Sequence, residues 1–363
     1  MGAYFLAVLM MLLLPVGSPA ADDGATRLHD QTFNTDQTWG GEVVIDGIVQ
    51  FSPEARLTIL PGTVVRFSKT DTDGDGIGEN ELYVQGGLIA RGTMEKPIVF
   101  TSAEVKKAPG DWGAINIMVS EGKLNELLNC VIEYSYRGLH SHFSKVMIDG
   151  CRFHYNYMAV QCQDSEMTIT GSELTRNRSA VVFKDSKLKI LNNTISDNYW
   201  GVRFLYGEAE VAGNTITGNL TNGVTFRENK VRATGNVLRD NRKGFSSEQA
   251  EVELVGNTVD GNIESGVYLK HSHGNVTGNE LSGNGNAGVS IEDSDVRVAG
   301  NNIVGNAKFG VDNNGTMDVV APDNWWGTAE LAKVYAMVYG KANDPKLGSV
   351  DVTPLAPKPH AVK

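Results

Sequence analysis

Internal repetition is the feature that most constrains how this chain can fold. The phrase "GNTVDGNIESGVYL" at 256–269 returns upstream as "GNTITGNLTNGVTF" and downstream as "GNELSGNGNAGVSI" and "GNNIVGNAKFGVDN". Successive copies are 21 or 22 residues apart. A fixed period of this length is typical of solenoids, in which one structural unit stacks on the next.

Two columns of equivalent positions run through the repeats. The first column contains two cysteines, a serine, six asparagines and, as its expected last member, an aspartate: Cys130, Cys151, Ser172, Asn193, Asn214, Asn236, Asn257, Asn279, Asn301 and Asp323. The second column lies five residues further on and contains Ser135 followed by eight asparagines: Asn156, Asn177, Asn198, Asn219, Asn241, Asn262, Asn284 and Asn306. A small residue and an apolar residue then follow in most repeats.

The local pattern within each repeat predicts strands. Segments such as "GVRF", "GVTF" and "VRVAGNNI" alternate apolar and polar residues, which indicates half-buried β-strands. Three short strands in each 21–22-residue repeat describe one coil of an all-β parallel β-helix, with each strand about 4.8 Å from its copy in the next coil. A leucine-rich repeat would need a dense leucine pattern and a helical segment in each unit, and this sequence has neither.

The repeated asparagines are interpreted as structural. An asparagine that points inward at a turn meets its copies in the coils above and below, and its amide carries both a donor and an acceptor. A column of such residues satisfies polar groups that would otherwise be buried without partners. Cys130, Cys151 and Cys162 fall at inward sites and are predicted to be buried thiols. A Cys130–Cys151 disulfide between adjacent coils is the alternative.

Composition and the first residues bound the class of protein. The formal charge of −11 gives no general basic surface, so nucleic acid is not an expected partner. An apolar run from Tyr4 to Leu14, followed by Pro15 and small residues, predicts a secretory signal peptide over 1–20. No later segment is long and apolar enough to span a bilayer. The mature protein is therefore expected to be exported, to the periplasm or beyond the cell.

Several phrases together resemble the right-handed parallel β-helix proteins of the pectin-lyase-like superfamily, in particular the exported, repeat-rich members. These phrases are "ARLTILPGTVVRF", "LYVQGGLIARGTMEKPIVFTSA", "GDWGAINI", "DNWWGT" and "VDVTPLAP". The resemblance implies the fold more strongly than a function, because the scaffold carries lyases, hydrolases, epimerases and non-enzymatic binders.

The predicted organisation has five parts, since the open ends of a solenoid need caps. They are a signal peptide over 1–20, an N-terminal cap with the first strands over 21–60, first coils over 61–129 with an acidic loop inserted at 70–81, regular coils over 130–322, and a C-terminal cap and tail over 323–363. "TAELAKVYAMVYGK" predicts a short helix in the C-terminal cap, where Trp325 and Trp326 are expected to cover the last coil.

The acidic loop "DTDGDGIGENE" is a candidate calcium site. Its carboxylates have the alternating spacing and the central glycine of an EF-hand loop, and the predicted ligands are Asp71, Asp73, Asp75, Glu79 and Glu81. The pattern departs from that loop at its twelfth position, which is Leu82. The alternative is an acidic, solvated hairpin.

An aromatic and basic strip is the candidate ligand-binding surface. It flanks the second asparagine column in successive repeats and contains Tyr134, Tyr136, Tyr155, Tyr157, Arg176, Arg178, Tyr199 and Trp200. At coil spacing the strip would extend about 15 Å, roughly three sugar rings. Aromatic faces stack on sugars, and arginine binds carboxylates. The alternative is that these tyrosines merely cover strand ends.

Three functions remain open from the sequence. The first is an exported, non-catalytic protein that binds polysaccharide or another cell-surface component through the strip. The second is a polysaccharide lyase or epimerase acting on acidic glycans, for which the compact group of candidates is Arg137, His140, His142, His154 and Arg178. The third is a structural rod. The carboxylate pairs of polygalacturonases and the calcium-site pattern of pectate lyases are not recognisable in this sequence.

Overall fold

The computed structural model describes residues 24–361, so the predicted signal peptide lies outside the described residues. The chain winds repeatedly through three strand positions, and each strand pairs in parallel with its equivalent in the next coil. The molecule is therefore a parallel β-helix with three faces, named sheets one, two and three in the order in which the chain visits them. This confirms the predicted fold class.

Sheet one is regular throughout the described part of the chain. Its thirteen strands are Thr26–Leu28, Glu42–Ile45, Val64–Phe67, Ile98–Ser102, Cys130–Glu133, Arg152–His154, Glu173–Thr175, Thr194–Ser196, Thr215–Thr217, Val237–Arg239, Thr258–Asp260, Glu280–Ser282 and Asn302–Val304. Most have three residues, and in all of these but the first strand the middle residue is buried in the core, as Leu174 and Ile195 are.

Sheets two and three share three long strands that bend from one face to the next: Ser179–Leu191, Trp200–Ala212 and Val224–Thr234. The other strands of sheet two are Gln31–Phe33, Ile48–Phe51, Glu81–Val84, Trp112–Met118, Ser135–His142, Met158–Gln163, Phe245–Glu248, Val267–Lys270, Ala287–Glu292, Phe309–Asn313 and Val338–Tyr339. Those of sheet three are Gln37–Trp39, Arg56–Ile59, Gly87–Arg91, Asn125–Leu128, Lys145–Asp149, Glu166–Thr170, Glu251–Val255, His273–Thr277, Asp295–Ala299, Val319–Val320 and Val350–Asp351.

The core is a continuous apolar column inside the three sheets. Along sheet two, Phe183, Phe204, Phe226 and Phe245 follow one another with ring centroids 5.6–6.0 Å apart. Cys162 lies in the same inward column as Phe183. All three cysteines are buried and free, as the sequence predicts for core thiols.

Both asparagine columns lie buried at corners of the coil. In the second column, Asn177 donates from Nδ2 to the Oδ1 of Asn198 and to the backbone oxygen of Phe153, at 3.1 and 3.0 Å. Its own Oδ1 accepts from the backbone N–H and the side chain of Asn156. The same bonds recur coil after coil as far as Asn306. Each side chain therefore satisfies the turn of one coil and is itself satisfied by the next.

The first column ends one residue later than predicted. Asn301 donates to the Oδ1 of Asn324 at 3.0 Å, and Asn324 rather than Asp323 is buried. Asp323 instead occupies the preceding position and has a positive φ of 56°. The final gap is 23 residues, so an alignment on a 21–22-residue period misplaces the last member.

The two ends differ from the simplest prediction. Residues 26–59 already form two complete coils, because their strands pair with those that follow. At the C-terminal end the helix Leu331–Tyr335 is present and buries Val334. Trp326 is buried and lies against Gly310, whereas Trp325 is only half-buried. One tryptophan, not two, therefore covers the last coil.

Candidate functional site

The predicted strip lies at the corner between sheets one and two, where the buried second column divides it into two stacks. Tyr134, Tyr155 and Arg176 precede the inward residue and form the corner stack, with positive φ values of 64°, 58° and 56°. Tyr136, Tyr157 and Arg178 follow it and form the face stack, on the side of sheet two. The left-handed conformation is uncommon for bulky residues, although in this chain it also occurs outside the strip, as at Phe143 and Tyr206.

Contacts in the corner stack run along the axis of the β-helix. The rings of Tyr134 and Tyr155 are stacked, with centroids 5.6 Å apart and an angle of 9° between their planes. Arg176 Nη1 donates to the Tyr155 hydroxyl at 2.9 Å, and the ammonium of Lys107 lies 5.5 Å from the Tyr134 ring centroid. Because the two tyrosines cover each other's faces, this stack presents mainly ring edges and charges to solvent.

The face stack continues towards sheet two. Tyr136 and Tyr157 make an edge contact with centroids 5.7 Å apart. The Arg137 guanidinium lies 5.1 Å from the Tyr136 ring centroid, and that of Arg178 lies 5.8 Å from the Tyr157 ring centroid. Cation–π contacts of this kind hold an arginine in place while leaving its N–H groups free to donate.

A third aromatic and arginine pair extends the surface by one coil beyond Arg178. Trp200 contacts Tyr199 edge to face, with centroids 5.7 Å apart. The guanidinium of Arg203 lies 4.5 Å from the Trp200 ring centroid. Arg203 is exposed on sheet two in the same outward column as His140. The strip is thus joined to the adjoining part of sheet two.

These arginines lack anionic partners in the protein. Within residues 24–361, no carboxylate lies within 4.0 Å of the guanidinium groups of Arg137, Arg178 or Arg203, whereas Lys230, Arg239 and Arg242 of later coils each pair with one. Arg137 Nε and Gln161 Oε1, on paired strands of sheet two, are two of seven buried side-chain atoms without a hydrogen-bond partner in the described part of the chain. Buried polar atoms without partners are rare in proteins and call for a ligand or an ordered water.

A hydrogen-bonded chain on the same face orients His140. The Glu81 carboxylate accepts from Asn116 Nδ2 at 2.7 Å, and Asn116 Oδ1 lies 2.9 Å from His140 Nδ1. An amide oxygen only accepts, so His140 Nδ1 carries the proton and Nε2 keeps its lone pair. Gly113 makes room for this arrangement, because a side chain there would overlap the Glu81 carboxylate.

Burial and nearby positive charge keep the His140 imidazole neutral. Burial lowers the pKa of His140 to about 4, and the nearby charges of Arg137 and His142 act in the same direction. Burial also raises the pKa of Glu81, against the opposing effects of Asn116 and Arg137. His142 extends from the same strand, with Nδ1 3.9 Å from an oxygen of Asp164. A neutral imidazole with a free Nε2 can act as a general base.

His154 lies apart from the other members of the predicted catalytic group. It ends a strand of sheet one, before the corner, and its Nε2 lies 2.8 Å from Glu133 Oε2. Burial alone would raise the pKa of Glu133, but hydrogen bonds from His154 and Thr101 outweigh it and lower the pKa to about 2. Arg137, His140 and His142 lie together on sheet two, and Arg178 lies over the Tyr157 ring in the face stack.

The acidic loop brings together three of its five predicted calcium ligands. Oxygens of Asp71, Asp73 and Glu79 lie within 4.8 Å of one another. The Asp75 carboxylate instead accepts the backbone N–H of Ile77, and Glu81 belongs to sheet two, bonded to Asn116. Calcium binding stays a prediction for the remaining three carboxylates, and calorimetric titration with Ca²⁺ tests it. An absence of heat would reject it.

Several members of this surface were not identified from the sequence. Asn116, Gln161 and Arg203 take part, and Glu81 has a different role from the predicted one. Asn116 and Gln161 share an outward column of sheet two with His140, in the strands on either side of it, and Arg203 lies in the same column three coils further along. Glu81 lies on the strand of sheet two that precedes that of Asn116. That register was available for Gln161 and Arg203 through the repeat, but the coils containing Glu81 and Asn116 lie in the less regular part of the chain.

Comparison with known proteins identifies the family of this chain. A family model described as a right-handed β-helix region matches residues 87–238 and 180–324. A periplasmic alginate epimerase, AlgG carrying two substitutions, has a solved structure that is 14% identical, with a TM-score of 0.54, and covers 72% of this chain and 73% of its own. At this identity the likeness concerns the fold alone.

Two further solved structures are more distant. The surface protein and adhesin PfbA of Streptococcus pneumoniae is 12% identical, with a TM-score of 0.28 over 79% of this chain and 92% of its own. The Dettilon tailspike protein is 12% identical, with a TM-score of 0.30 over 89% and 62%. No curated protein matches. Residues 24–361 contain no helix of the length and apolarity needed to cross a bilayer. By fold and by sequence model, the chain belongs to the right-handed parallel β-helix family.

Proposed function

We propose that the protein binds an acidic polysaccharide on the part of sheet two that adjoins the strip. The observation that carries the proposal is the set of three arginines, Arg137, Arg178 and Arg203, each lying over an aromatic ring and none paired with a carboxylate in the described chain. Guanidinium groups bind carboxylates in a planar, two-bond geometry. Uronate residues offer such a carboxylate on each sugar ring.

The unpaired buried atoms narrow the class of ligand further. Arg137 Nε needs an acceptor and Gln161 Oε1 needs a donor. A uronate residue supplies both, since it carries a carboxylate and free hydroxyl groups on one rigid ring. The half-buried side chains of Tyr157 and Trp200 add aromatic surface beside these polar groups for contact with sugar rings. A short anion such as phosphate would satisfy the arginine but not the aromatic surface.

The expected localisation of the protein and the name of a protein with a similar fold both support an acidic polysaccharide as the ligand. The expected signal peptide would deliver the protein to the periplasm or the cell exterior, where acidic polysaccharides and other surface components occur. The solved structure with the similar fold is named an alginate epimerase, which makes uronate polymers the first ligands to test. A purely structural rod, the third function left open by the sequence, gives no account of three arginines that lie over aromatic rings in one region.

The experiment compares arginine variants on two faces. Arg137→Met and Arg178→Met keep the aliphatic stem and remove the charge, and Arg232→Met on sheet three is the matched control. We expect both site variants to weaken binding of alginate or polygalacturonate at least tenfold, about 1.4 kcal/mol, in calorimetry against a neutral dextran blank. The control should bind as the wild type does. Equal binding by all variants, or no binding by the wild type, would reject the proposal.

A second candidate function, lyase or epimerase activity, is favoured by one specific observation. The Glu81–Asn116–His140 chain holds a neutral imidazole with its Nε2 free, next to the unpaired Arg137. With a uronate carboxylate neutralised by Arg137, Nε2 could take the proton on the adjoining sugar carbon. In a lyase the electron pair then forms a carbon–carbon double bond as the glycosidic oxygen leaves with a proton. In an epimerase a proton returns to the opposite face.

Exchange of solvent deuterium separates this candidate from simple binding. Incubation of alginate and polygalacturonate in D₂O should incorporate deuterium at the acidic carbon for an epimerase, and ultraviolet absorbance should rise with unsaturated products for a lyase. His140→Gln should abolish either signal, while His154→Gln should retain it because His154 lies on sheet one. Binding without exchange or absorbance would leave the protein a non-catalytic binder.

A further inference from the structure

Two inserted loops project beside the strip and contact each other. The first, 69–80, contains the acidic residues, and the second, 103–111, precedes the strand Trp112–Met118. The backbone N–H of Gly78 donates to the oxygen of Gly110 at 2.7 Å. Lys69 Nζ lies 3.4 Å from Asp111 Oδ1. Gly78 also packs so closely on the Asp111 backbone that no side chain fits there. The two loops are therefore one packed unit.

The second loop is fixed firmly to the coils beneath it. The buried Asp111 carboxylate accepts from Ser102 Oγ and from the N–H of Ala108, both at 2.8 Å. Lys107 Nζ donates to Thr101 Oγ1 at 2.8 Å and lies 3.4 Å from Glu133. Such a network of charge-assisted bonds restrains a loop that would otherwise be mobile.

The same loop contacts both stacks of the strip at Gly110. The backbone N–H of Gly110 donates to the backbone oxygen of Tyr134 at 3.0 Å. On the other side, the ring of Tyr157 lies so close that a Cβ on Gly110 would be 3.0 Å from Cε2 and 3.1 Å from Cδ2. Gly110 also has a φ of +89°. The Tyr157 ring is consequently held between Gly110, Tyr136 and Arg178.

We propose that the paired loops form a brace that sets the Tyr157 ring in its ligand-binding orientation, with Gly110 as the positioning residue. This inference rests on the proposed polysaccharide binding for its consequence, but the position of the ring can be tested without a ligand. The brace gives the two inserted loops a role in the strip, which they contact through Gly110.

The experiment compares two glycine substitutions with similar backbone strain. Gly110→Ala places a methyl group against the Tyr157 ring, whereas Gly62→Ala, at a φ of +83°, makes only an ordinary contact with Lys96. Spectra of ¹³C-tyrosine-labelled protein report the ring, and the Tyr157 signal is assigned by its loss in Tyr157→Phe. Gly110→Ala should shift that signal and Gly62→Ala should leave it unchanged, while both lower the melting temperature by similar amounts.

A double-mutant cycle then tests the route from Gly110 to the ligand. Gly110→Ala should weaken alginate binding at least fivefold, and Gly110→Ala with Tyr157→Ala should bind no worse than Tyr157→Ala alone, because residues acting through one contact are not additive. An unshifted Tyr157 signal, or additive losses, overturns the brace. A shifted signal in a protein whose wild type binds no polyuronate supports the brace and rejects the proposed function instead.

Discussion

The corner between sheets one and two is built in two ways along the same β-helix. In residues 130–200, three of the four coils hold a bulky residue at the left-handed position before the inward residue, namely Tyr134, Tyr155 and Arg176, whereas residues 210–310 use glycine or aspartate there, as at Asp240 and Gly261. The buried asparagines beside this position form the same bonds in both regions. The comparison shows that the asparagines maintain the fold and that the neighbouring position is free to vary. Bulky residues there cost about 1–2 kcal/mol each.

The largest expected effect concerns what the two regions share. Asn177→Ala in the first region and Asn262→Ala in the second each remove a side chain that donates two bonds along the column and leave buried backbone groups unpaired. We expect each to lower the free energy of unfolding by about 3 kcal/mol, measured by denaturant titration. The surface variant Thr215→Ala should stay within about 0.5 kcal/mol. A large loss in only one region would mean that the two corners are not built alike.

The next largest effect concerns the pH dependence of stability and involves His140, which belongs to the first region. Its pKa in the folded protein is about 4, below its ordinary value, so the unfolded chain binds more protons between about pH 6.5 and about pH 4. The free energy of unfolding should therefore fall as the pH is lowered through this window, by roughly 2 kcal/mol. His140→Gln should remove that part of the slope. Identical slopes for the variant and the wild type would contradict the assignment.

A smaller effect separates the regions by ligand binding. Tyr157→Ala with Trp200→Ala should weaken binding on a glycan array of acidic polysaccharides at least tenfold, about 1.4 kcal/mol. Leu220→Ala with Ile263→Ala is the matched control, since these apolar residues are 71% and 69% exposed at the same corner in later coils. Equal signals from both double variants would remove the distinction between the two regions.

The smallest effect is expected where the two regions are made alike. Arg176→Asn replaces a bulky residue in the left-handed conformation with one that tolerates it. Among residues 24–361, the side chain of Arg176 makes one hydrogen bond, to the Tyr155 hydroxyl, and the substitution removes it. The free energy of unfolding should rise by up to about 1 kcal/mol, while polyuronate binding should weaken. Thermal unfolding and calorimetry measure the two. A less stable variant with unchanged binding would assign the corner stack a structural role.

The coils could be predicted because a repeat fixes which residues are vertical neighbours. Phe183 and Cys162 share an inward column, and the asparagines from Asn156 to Asn306 lie at one corner, as their spacing indicates. Spacing does not show the direction in which a side chain leaves a corner. His154 and His140 were therefore grouped, although the turn sends them to different faces.

The candidate site was harder to predict because much of it lies outside the regular repeat. Glu81 and Asn116 meet only after insertions have changed the length of the early coils. The space for the Glu81 carboxylate depends on a missing side chain at Gly113, and the unpaired state of Arg137 depends on where every nearby carboxylate finally lies. Properties of this kind follow from the complete fold and not from the order of residues.

The asparagine columns also bear on how such a chain can change its length. Because each asparagine bonds in the same way to the coil on either side, excision of one whole turn, for example residues 215–236, would bring equivalent partners into contact at the junction. A chain shortened in this way should fold into a rod about 4.8 Å shorter, with the arginine-bearing face untouched. Duplication of a turn should lengthen it by the same step, so gene rearrangement could tune the reach of the molecule independently of its ligand.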